Sequence, residues 1–442
     1  MTGRAFAWPC NATLSAARRA RNTHFEVRSL VAQTYTAAMP QTSPNALSPV
    51  KQHATAADVR GAARLAVDAT QGLTALVEAM HARIKSPPGL RGGEKTNGIT
   101  GLVYRTVHGV TELVGGGLDA LLGMLAPLLT PTAHGTPASS WEREAVLAAL
   151  NGVLGDHLEA TANPLATTMG FRSCGQALAL QGPALRQALP QGNGRLLVLM
   201  HGLCMNDLQW SRDGQDHGAA LAREAGYTPV YLRYNTGRAV HVNGAEFAAL
   251  MEQLLAVWPH ALQRVVLLCH SMGGLVARSA LHQGALAGQR WVQRVDDAVF
   301  LGTPHHGAPL ERAGHGLDIV LSAAPYAAPL ARLGRVRSAG ITDLRHGQLL
   351  AGPRGAKPEP VPLPEQPRCF AVAASTDQKA DGLKGRLLGD GLVQLDSALG
   401  RHRDPARRLH FAADRQLQLQ GFNHMQLLSN PEVCETLLRW LR

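Results

Sequence analysis

Ser271 lies in a segment whose residue types and spacing predict a nucleophilic serine. The apolar run 264–269 predicts a buried strand, and the run from Leu275 to Leu281 predicts a helix, so Ser271 falls in the turn between them. In such a turn the serine adopts a strained backbone that projects its hydroxyl above a sheet, and small residues nearby let strand and helix approach. Gly273 meets this requirement downstream, whereas Cys269 occupies the upstream position where glycine is usual.

A second segment could stabilise the negative charge that forms when a serine attacks a carbonyl group. The apolar strand predicted at 196–200 runs directly into His201-Gly202-Leu203. We predict that the backbone N–H groups of Leu203 and of Met272, the residue after the serine, form an oxyanion hole. The chain order, with this loop first and the serine turn one strand–helix unit later, suits that chemistry.

A serine hydroxyl is a poor nucleophile near neutral pH and needs a histidine as its base. Three histidines follow the serine turn far along the chain. His402 lies in an Arg-rich segment, and His410 alternates within an apolar stretch. His424 comes after the last strand-like run and just before the terminal helix, from where it could reach back over a sheet. We therefore predict His424 as the base.

A carboxylate must orient this histidine, and in hydrolases of this kind it lies between the serine and the histidine in chain order. The candidates are Asp377, Asp381, Asp390 and Asp396. Asp390 is favoured because glycines flank it in a tight turn that enters an apolar pair. Asp377, nearer the end of the preceding strand, stays as the alternative.

Two further histidines, His305 and His306, follow a predicted strand but precede every candidate acid. We interpret their segment as a turn that begins a cap over the site, with a role in lining the substrate pocket as the alternative. The sequence contains no HExxH pattern or other metal-ligand spacing, so neither a metal nor a cofactor is expected.

The elements around these residues predict an α/β fold. Short apolar runs alternate with helical patterns from about residue 171, which indicates a mostly parallel sheet flanked by helices. Asn243 is predicted to cap one helix, and the final helix is predicted to start within 429–432. A long apolar insertion at about 308–366 predicts a helical cap. The predicted strands are 196–200, 228–234, 264–269, 295–301 and 368–374.

Three regions are predicted along the chain. Residues 1–50 show no periodicity and are expected to be disordered, and 51–165 form a small all-helical region. Residues 171–442 form the α/β domain. The apolar stripes of the helical region pack most simply on each other or on that domain, although docking on a lipid surface or a protein partner is the alternative.

Composition excludes several classes of protein. The chain has 442 residues, a formal net charge of +11 and 45% hydrophobic residues, which is ordinary for a globular protein. The basic residues are spread along the chain, so a nucleic-acid partner is not expected. No apolar run is long enough to span a membrane, and no secretory signal stands out, which favours a cytoplasmic protein. The six cysteines show no paired spacing and are expected to be reduced.

Taken together, the motifs resemble the triacylglycerol lipase and GPI inositol-deacylase-like branch of the α/β-hydrolases over about residues 175–442. The resemblance implies a Ser271–Asp390–His424 triad and supports Asp390, since bacterial lipases of this branch carry the acid in an Asp-Gly-Leu-Val turn. Those lipases bind calcium through an aspartate two residues after the histidine. Gln426 occupies that position here, so the calcium site is not expected. The matching motifs are His201-Gly202-Leu203, His270-Ser271-Met272-Gly273-Gly274, 300–307, 389–393 and His424.

The sequence therefore predicts a lipase- or carboxylesterase-like enzyme that cleaves a small-molecule or lipid ester through an acyl-Ser271 intermediate. A thioesterase, an amidase or an acyltransferase would use the same residues. A catalytically silent scaffold that binds lipid or a partner is the alternative from another class, and the complete set of catalytic residues speaks against it. The sequence does not indicate an oligomeric state.

Overall fold

The five predicted strands lie within one eight-stranded sheet. This computed structural model describes residues 57–58, 60–65, 141–308, 338–352, 357–378 and 389–442. The strand order is β2-β1-β4-β3-β5-β6-β7-β8. The strands are β1 (Gly170–Ser173), β2 (Gln176–Ala177), β3 (Arg195–Met200), β4 (Thr228–Arg233), β5 (Arg264–His270), β6 (Asp297–Leu301), β7 (Arg368–Ser375) and β8 (Gln416–Gln420).

Six neighbouring strands pair in parallel in the order β4-β3-β5-β6-β7-β8, and β1 pairs with β4 in antiparallel fashion. The central strands are apolar along their whole length because helices cover both faces of the sheet. In β3, for example, Leu196 and Val198 face one layer of the core and Leu197 and Leu199 face the other. All five strands predicted from the sequence are present.

Helices lie on both faces of the sheet. The helices α1, α4 and α5 contribute to the core layer on one face, and α3 and α8 contribute to the layer on the other. The helices are α1 (Trp141–Ala160), α2 (Gly182–Ala188), α3 (His217–Ala225), α4 (Val240–Val257), α5 (Met272–Leu286), α6 (Ala339–His346), α7 (Leu395–Ala398) and α8 (Pro431–Leu441).

One helix boundary differs from its prediction. Asn243 does not cap α4, which begins three residues earlier, and it is fully buried inside the helix. Its side-chain amide donates a hydrogen bond to the carbonyl oxygen of Asn235 at 2.9 Å. A backbone carbonyl in the loop before the helix thus satisfies a side chain whose usual preference is for a cap. The start of α8 is confirmed, because the Asn430 side chain accepts from the first backbone N–H groups of that helix.

The described part of the N-terminal helical region packs on the sheet domain. Val146, Leu150 and Val153 of α1 share a core layer with β3. The helical residues 60–65 join the same layer, and Asp58 forms an ion pair of 2.5 Å with Arg143. The segments 1–50, 66–140 and 309–337, which carry the predicted disorder, much of the predicted helical region and most of the predicted cap, lie outside the described residues.

Two further observations concern the described residues. None of their helices is both long and apolar enough to cross a membrane. Cys204, Cys269, Cys369 and Cys434 are free thiols, as expected, but Cys174 is disulfide-bonded. The expectation of reduced cysteines is therefore wrong for Cys174, because spacing along the chain does not report which cysteines meet in space.

Candidate active site

Ser271 lies in the turn between β5 and α5, with φ 54° and ψ −123°. An L-residue rarely adopts this backbone conformation, and such strain persists only where the surrounding structure holds it. One restraint is the Ser271 N–H, which donates to the carbonyl oxygen of Leu301 on the neighbouring strand at 2.8 Å. The predicted strand–turn–helix context of the serine is therefore present.

Small residues around the serine turn allow close packing with the end of β3. A Cβ atom added to Gly273 would lie 2.5 Å from the carbonyl oxygen of Met200, so only glycine fits there. Cys269 is tolerated at the upstream position because its Sγ fits against Met200, 3.7 Å from the thioether sulfur. Glycine is thus required on one side of the serine and dispensable on the other.

Asp390 and His424 meet although 34 residues separate them. The Nδ1 atom of His424 lies 2.6 Å from Oδ2 of Asp390, and the His424 backbone N–H donates to the Asp390 carbonyl oxygen at 3.0 Å. Both side chains are almost fully buried. Because a carboxylate only accepts hydrogen bonds, Nδ1 carries the proton and Nε2 is left with a lone pair that can accept one.

The turn that carries Asp390 explains why glycines flank it. Gly389 has φ 57° and Gly391 has φ 94°, and a Cβ on Gly389 would lie 1.8 Å from the carbonyl oxygen of Val393. Oδ1 of Asp390 accepts from the backbone N–H groups of Leu392 at 3.0 Å and Val393 at 2.8 Å. These bonds fix the carboxylate so that its second oxygen faces the histidine.

His424 lies beside the serine turn. The Ser271 N–H binds the carbonyl oxygen of Leu301, and Gly302 is the next residue in the chain. Gly302 lies so close to His424 that a Cβ added to it would be 3.0 Å from the histidine ring. The ring of His270 lies 4.7 Å from that of His424, and its Nε2 lies 3.3 Å from the His424 carbonyl oxygen, which can only accept. His270 therefore restrains the backbone of the histidine that the sequence predicts as base. Burial and the neighbouring His424 lower the pKa of His270 well below its ordinary value, which keeps it neutral.

His201 and Gly202 bring the loop after β3 against the serine. A Cβ on Gly202 would lie 3.0 Å from the Cβ of Ser271. The His201 ring stacks on Tyr234, whose hydroxyl donates to the His201 carbonyl oxygen at 2.8 Å. Burial lowers the pKa of His201 to about 3, so this ring is neutral and acts as a support for the loop.

The two predicted oxyanion donors lie on either side of this contact. Leu203 is buried, and its N–H donates no hydrogen bond to any described residue. Met272 is the first residue of α5, where an N–H has no acceptor within the helix and the helix dipole favours negative charge. Both N–H groups are thus chemically suited to donate hydrogen bonds to an oxyanion.

Helix α1 supports the loop that carries Leu203, which the sequence analysis missed. A Cβ on Gly152 would lie 2.2 Å from Sγ of Cys204, which itself has φ 58°. The Cys204 N–H donates to the Thr236 hydroxyl at 3.1 Å, and the Asn235 amide donates to the Gly155 carbonyl oxygen at 2.9 Å. Two glycines three residues apart in an apolar helix were the available signal for this close approach.

Asp390 is the acid candidate whose carboxylate lies within hydrogen-bond distance of His424 Nδ1 among the described residues. Asp396 is near Arg401 with 44% of its side chain exposed, and Asp381 lies outside the described residues. The backbone carbonyl of Asp377 accepts from the Gly421 N–H at 3.0 Å. His402 accepts from the backbone N–H of Asp404 at 3.0 Å, and exposed His410 is not in a strand.

His305 and His306 line a small cavity together with Arg278. His305 packs against Phe300 and Phe411, with ring centroids 5.1 Å and 5.4 Å away. Neither histidine takes part in the hydrogen bonds that join Asp390 to His424. Within the described segments, no group of three or more His, Cys, Asp or Glu side chains could hold a metal ion.

The mostly parallel sheet, its helical layers and the strained serine turn define the α/β-hydrolase fold. Residues 191–349 match the family described as the PGAP1-like alpha/beta domain, which confirms the predicted resemblance to α/β-hydrolases. This match contains the serine turn and the loop after β3 but ends before Asp390 and His424. No curated protein matches the chain in sequence.

Solved structures of similar fold include lipases, esterases and a thioesterase. The mature lipase BlEst2 of Bacillus licheniformis shares 21% identity at a TM-score of 0.37, covering 56% of this chain and 92% of its own. The RedJ thioesterase of Streptomyces coelicolor shares 17% identity at a TM-score of 0.33, covering 57% of this chain and 91% of its own. An esterase of Pyrococcus furiosus shares 15% at 0.34, covering 57% and 84%. At these values the similarities carry no argument about the reaction.

Proposed function

We propose that this protein is a serine hydrolase that cleaves carboxylic esters with an acyl or otherwise apolar part. The observation that carries the proposal is the buried Asp390–His424 hydrogen bond of 2.6 Å beside a serine with φ 54°. A carboxylate, a histidine and a strained serine on three separate loops constitute the arrangement that activates a hydroxyl. Small-molecule esters and lipid esters are the substrate class.

In the proposed reaction the Ser271 Oγ attacks the carbonyl carbon of the ester and transfers its proton to Nε2 of His424. The N–H groups of Leu203 and Met272 stabilise the resulting oxyanion. His424 then donates this proton to the leaving alkoxide oxygen, which releases the alcohol and leaves acyl-Ser271. Water attacks the acyl group and gives a proton to His424, which returns it to Ser271 as the carboxylic acid leaves. Asp390 keeps the proton of His424 on Nδ1 throughout.

The reaction is tested with chromogenic esters of rising acyl length. We expect the wild type to hydrolyse them and Ser271→Ala to lower kcat by at least about 10⁴-fold. Ser279→Ala is the matched control, since Ser279 is a buried serine on the same helix that donates to the Leu349 carbonyl oxygen at 2.6 Å. We expect that control to retain activity.

The same assay separates the alternatives. Thioester, amide and acyl-acceptor substrates in parallel assays would reveal a thioesterase, an amidase or an acyltransferase, because these reactions would depend on Ser271 as well. If the wild type acts on none of these substrates, and a fluorophosphonate does not react with Ser271, the enzyme proposal is lost. A scaffold that binds lipid or a partner would then be the better account.

A further inference from the structure

Arg233 is the last residue of β4 and lies beside the loop that carries Leu203. Strand β4 pairs with β3 as far as Leu232 opposite Met200, so Arg233 is next to the strand end from which that loop starts. The Nε atom of Arg233 donates to Oδ1 of Asp207, four residues after Leu203, at 2.5 Å. The Asp207 side chain is 2% exposed, so a buried ion pair holds this end of the loop.

A second carboxylate binds the same guanidinium. Another nitrogen of Arg233 donates to the carboxylate of Glu144, which lies on helix α1. The Glu144 side chain is 7% exposed and that of Arg233 is 14% exposed, so this pair is also largely removed from water. Charge-assisted hydrogen bonds of this kind are strong and geometrically specific. Arg233 therefore links α1 to the loop after β3.

Each of the two acids also has a cation of its own. Arg143 contacts Glu144 at 2.8 Å, and Arg172 on β1 lies 3.3 Å from Asp207. Loss of Arg233 therefore leaves neither carboxylate buried without a cation, which limits the cost to folding. What is lost is the connection between the two remaining ion pairs. These contacts suit a residue that sets the position of one element relative to another.

The position of this loop matters because it also contacts the predicted nucleophile. A Cβ added to Gly202 would lie 3.0 Å from the Cβ of Ser271, while Asp207 fixes the other end of the loop. An oxyanion donor acts over about 2.7–3.1 Å, so a small displacement of the Leu203 N–H weakens its hydrogen bond. A misplacement of about 1 Å can cost about 100-fold in rate.

We propose that Arg233 is a positioning residue that couples helix α1 to the loop 201–207, called the oxyanion loop, and so places the Leu203 N–H for catalysis. The inference rests on the proposed ester hydrolysis. It adds a dependence on a helix that lies outside residues 191–349, which match the family. Arg233 acts through Asp207 and is not itself assigned a catalytic role.

The variants Arg233→Met and Arg238→Met form a matched pair. Arg238 is also 14% exposed and also joins α1 to a second element, through ion pairs with Glu159 and Glu246, and neither pair involves the oxyanion loop. We expect R233M to lower kcat by about 10- to 100-fold and to leave KM within a few-fold of the wild type. R238M should keep the wild-type kcat. Initial rates on the preferred ester measure both.

A double variant tests the route through Asp207. If Arg233 acts through this carboxylate, Asp207→Asn alone lowers kcat, and D207N added to R233M causes little further loss. Glu144→Gln weakens the link at its other end and should lower kcat by a smaller factor than R233M does. Losses that multiply in the double variant, or an unchanged kcat in E144Q, would overturn the proposal.

Hydrogen–deuterium exchange on the folded full chain provides a readout that does not depend on activity. We expect the backbone N–H groups of the oxyanion loop to exchange faster in R233M than in the wild type or R238M. Should R233M fail to fold, E144Q replaces it in both measurements. Glu159→Gln is then the control, because it removes the corresponding charge from beside Arg238.

Failure of this inference and failure of the proposed function are distinguishable. If the wild type hydrolyses esters through Ser271 and R233M has the same kcat as R238M, the positioning role is lost and the proposed function stands. If the wild type hydrolyses no ester, the proposed function is lost. Equal exchange of the oxyanion loop in R233M and R238M would then overturn the positioning role as well.

Discussion

The parallel strands all end on one side of the sheet, called here the carboxyl-end edge, and all begin on the opposite side, the amino-end edge. The two sides satisfy their polar groups in different ways. At the carboxyl ends of the strands, Ser271 and Cys204 have positive φ angles, and buried ring nitrogens of His201 and His270 have no partner. At the amino ends, fully buried Asp297 forms ion pairs of 2.7 Å with Arg264 and with Arg368. The carboxyl ends thus hold strained backbone and unpaired ring nitrogens beside Ser271, and the amino ends of β5, β6 and β7 hold a buried acid that is paired with two arginines.

This difference indicates which side of the sheet serves chemistry and which side serves stability. Strained backbone and unpaired donors cost free energy, and they are retained where they serve binding or chemistry. The Asp297 pairs instead tie the starts of β5, β6 and β7 to one another, and Arg264 also donates to the Leu441 carbonyl oxygen at 2.8 Å. Substitutions at the carboxyl-end edge should therefore affect turnover, and those at the other edge should affect stability.

The largest expected effect is on turnover at the carboxyl-end edge. Asp390→Asn keeps the shape of the side chain but can leave His424 in the wrong tautomer, so we expect kcat to fall about 10⁴-fold. Asp377→Asn is the matched control and should stay within a few-fold of the wild type. Initial rates on the preferred ester measure both. Full activity in D390N with a large loss in D377N would transfer the role of the acid to Asp377.

The second prediction concerns stability at the opposite edge. Asp297→Asn removes the acid between two arginines, and breaking a buried pair costs about 3–5 kcal/mol of unfolding free energy. Asp296→Asn, at an exposed neighbour that accepts the Val265 N–H at 2.7 Å, should cost less. Urea unfolding measures both, and kcat per folded molecule should stay near that of the wild type. A large loss of kcat in D297N with unchanged stability would remove the distinction between the edges.

The third prediction tests whether α1 positions the oxyanion loop. In Gly152→Ala the new Cβ would strike Sγ of Cys204, and overpacking of this kind costs about 1–3 kcal/mol. We expect kcat to fall while KM changes little, because the Leu203 N–H is displaced. Cys204→Gly removes the sulfur at a position whose φ of 58° suits glycine, so the double variant should recover most of kcat.

Gly170→Ala is the matched control for this series, because an added Cβ there meets nothing within 4 Å. It should match the wild type in both kcat and KM. If the double variant were no better than Gly152→Ala alone, the contact between α1 and Cys204 would not be what positions the loop.

The smallest effect is a dependence of stability on pH. Burial lowers the pKa values of His201, His217 and His270 in the folded chain, so the unfolded chain binds more protons once the pH falls below about 6.5. Their contribution is therefore present above that pH and is lost as the pH falls, by up to about 1.4 kcal/mol per pH unit for each group. Urea midpoints between about pH 7 and about pH 5 measure the slope.

One variant sharpens this test. In His217→Gln the unfolding free energy should change less steeply with pH, because unfolding then takes up one proton fewer. A wild-type stability that stays constant over this pH range would contradict the neutral, buried state of these rings.

The sequence predicted the parts of the molecule that depend on local pattern. The five apolar runs, the serine turn with Gly273, and the glycine-flanked Asp390 each follow from neighbouring residues. The structure also brings His424 to Asp390. Prediction failed for Asn243, whose buried amide donates to the carbonyl oxygen of Asn235, in the loop that precedes the helix, and does not form a cap. The contact between Gly152 and Cys204, and the cavity at Arg278, also went unpredicted, because each joins residues far apart in the chain.

The most direct test of the central claim is to identify the residue that becomes covalently modified. The wild-type chain is incubated with a fluorophosphonate and digested, and the adduct is located by mass spectrometry. The account predicts one adduct, on Ser271, formed in parallel with loss of ester hydrolysis and strongly slowed in His424→Ala. Ester hydrolysis that continues while Ser271 stays unmodified, or an inactivating adduct on another serine, would contradict it.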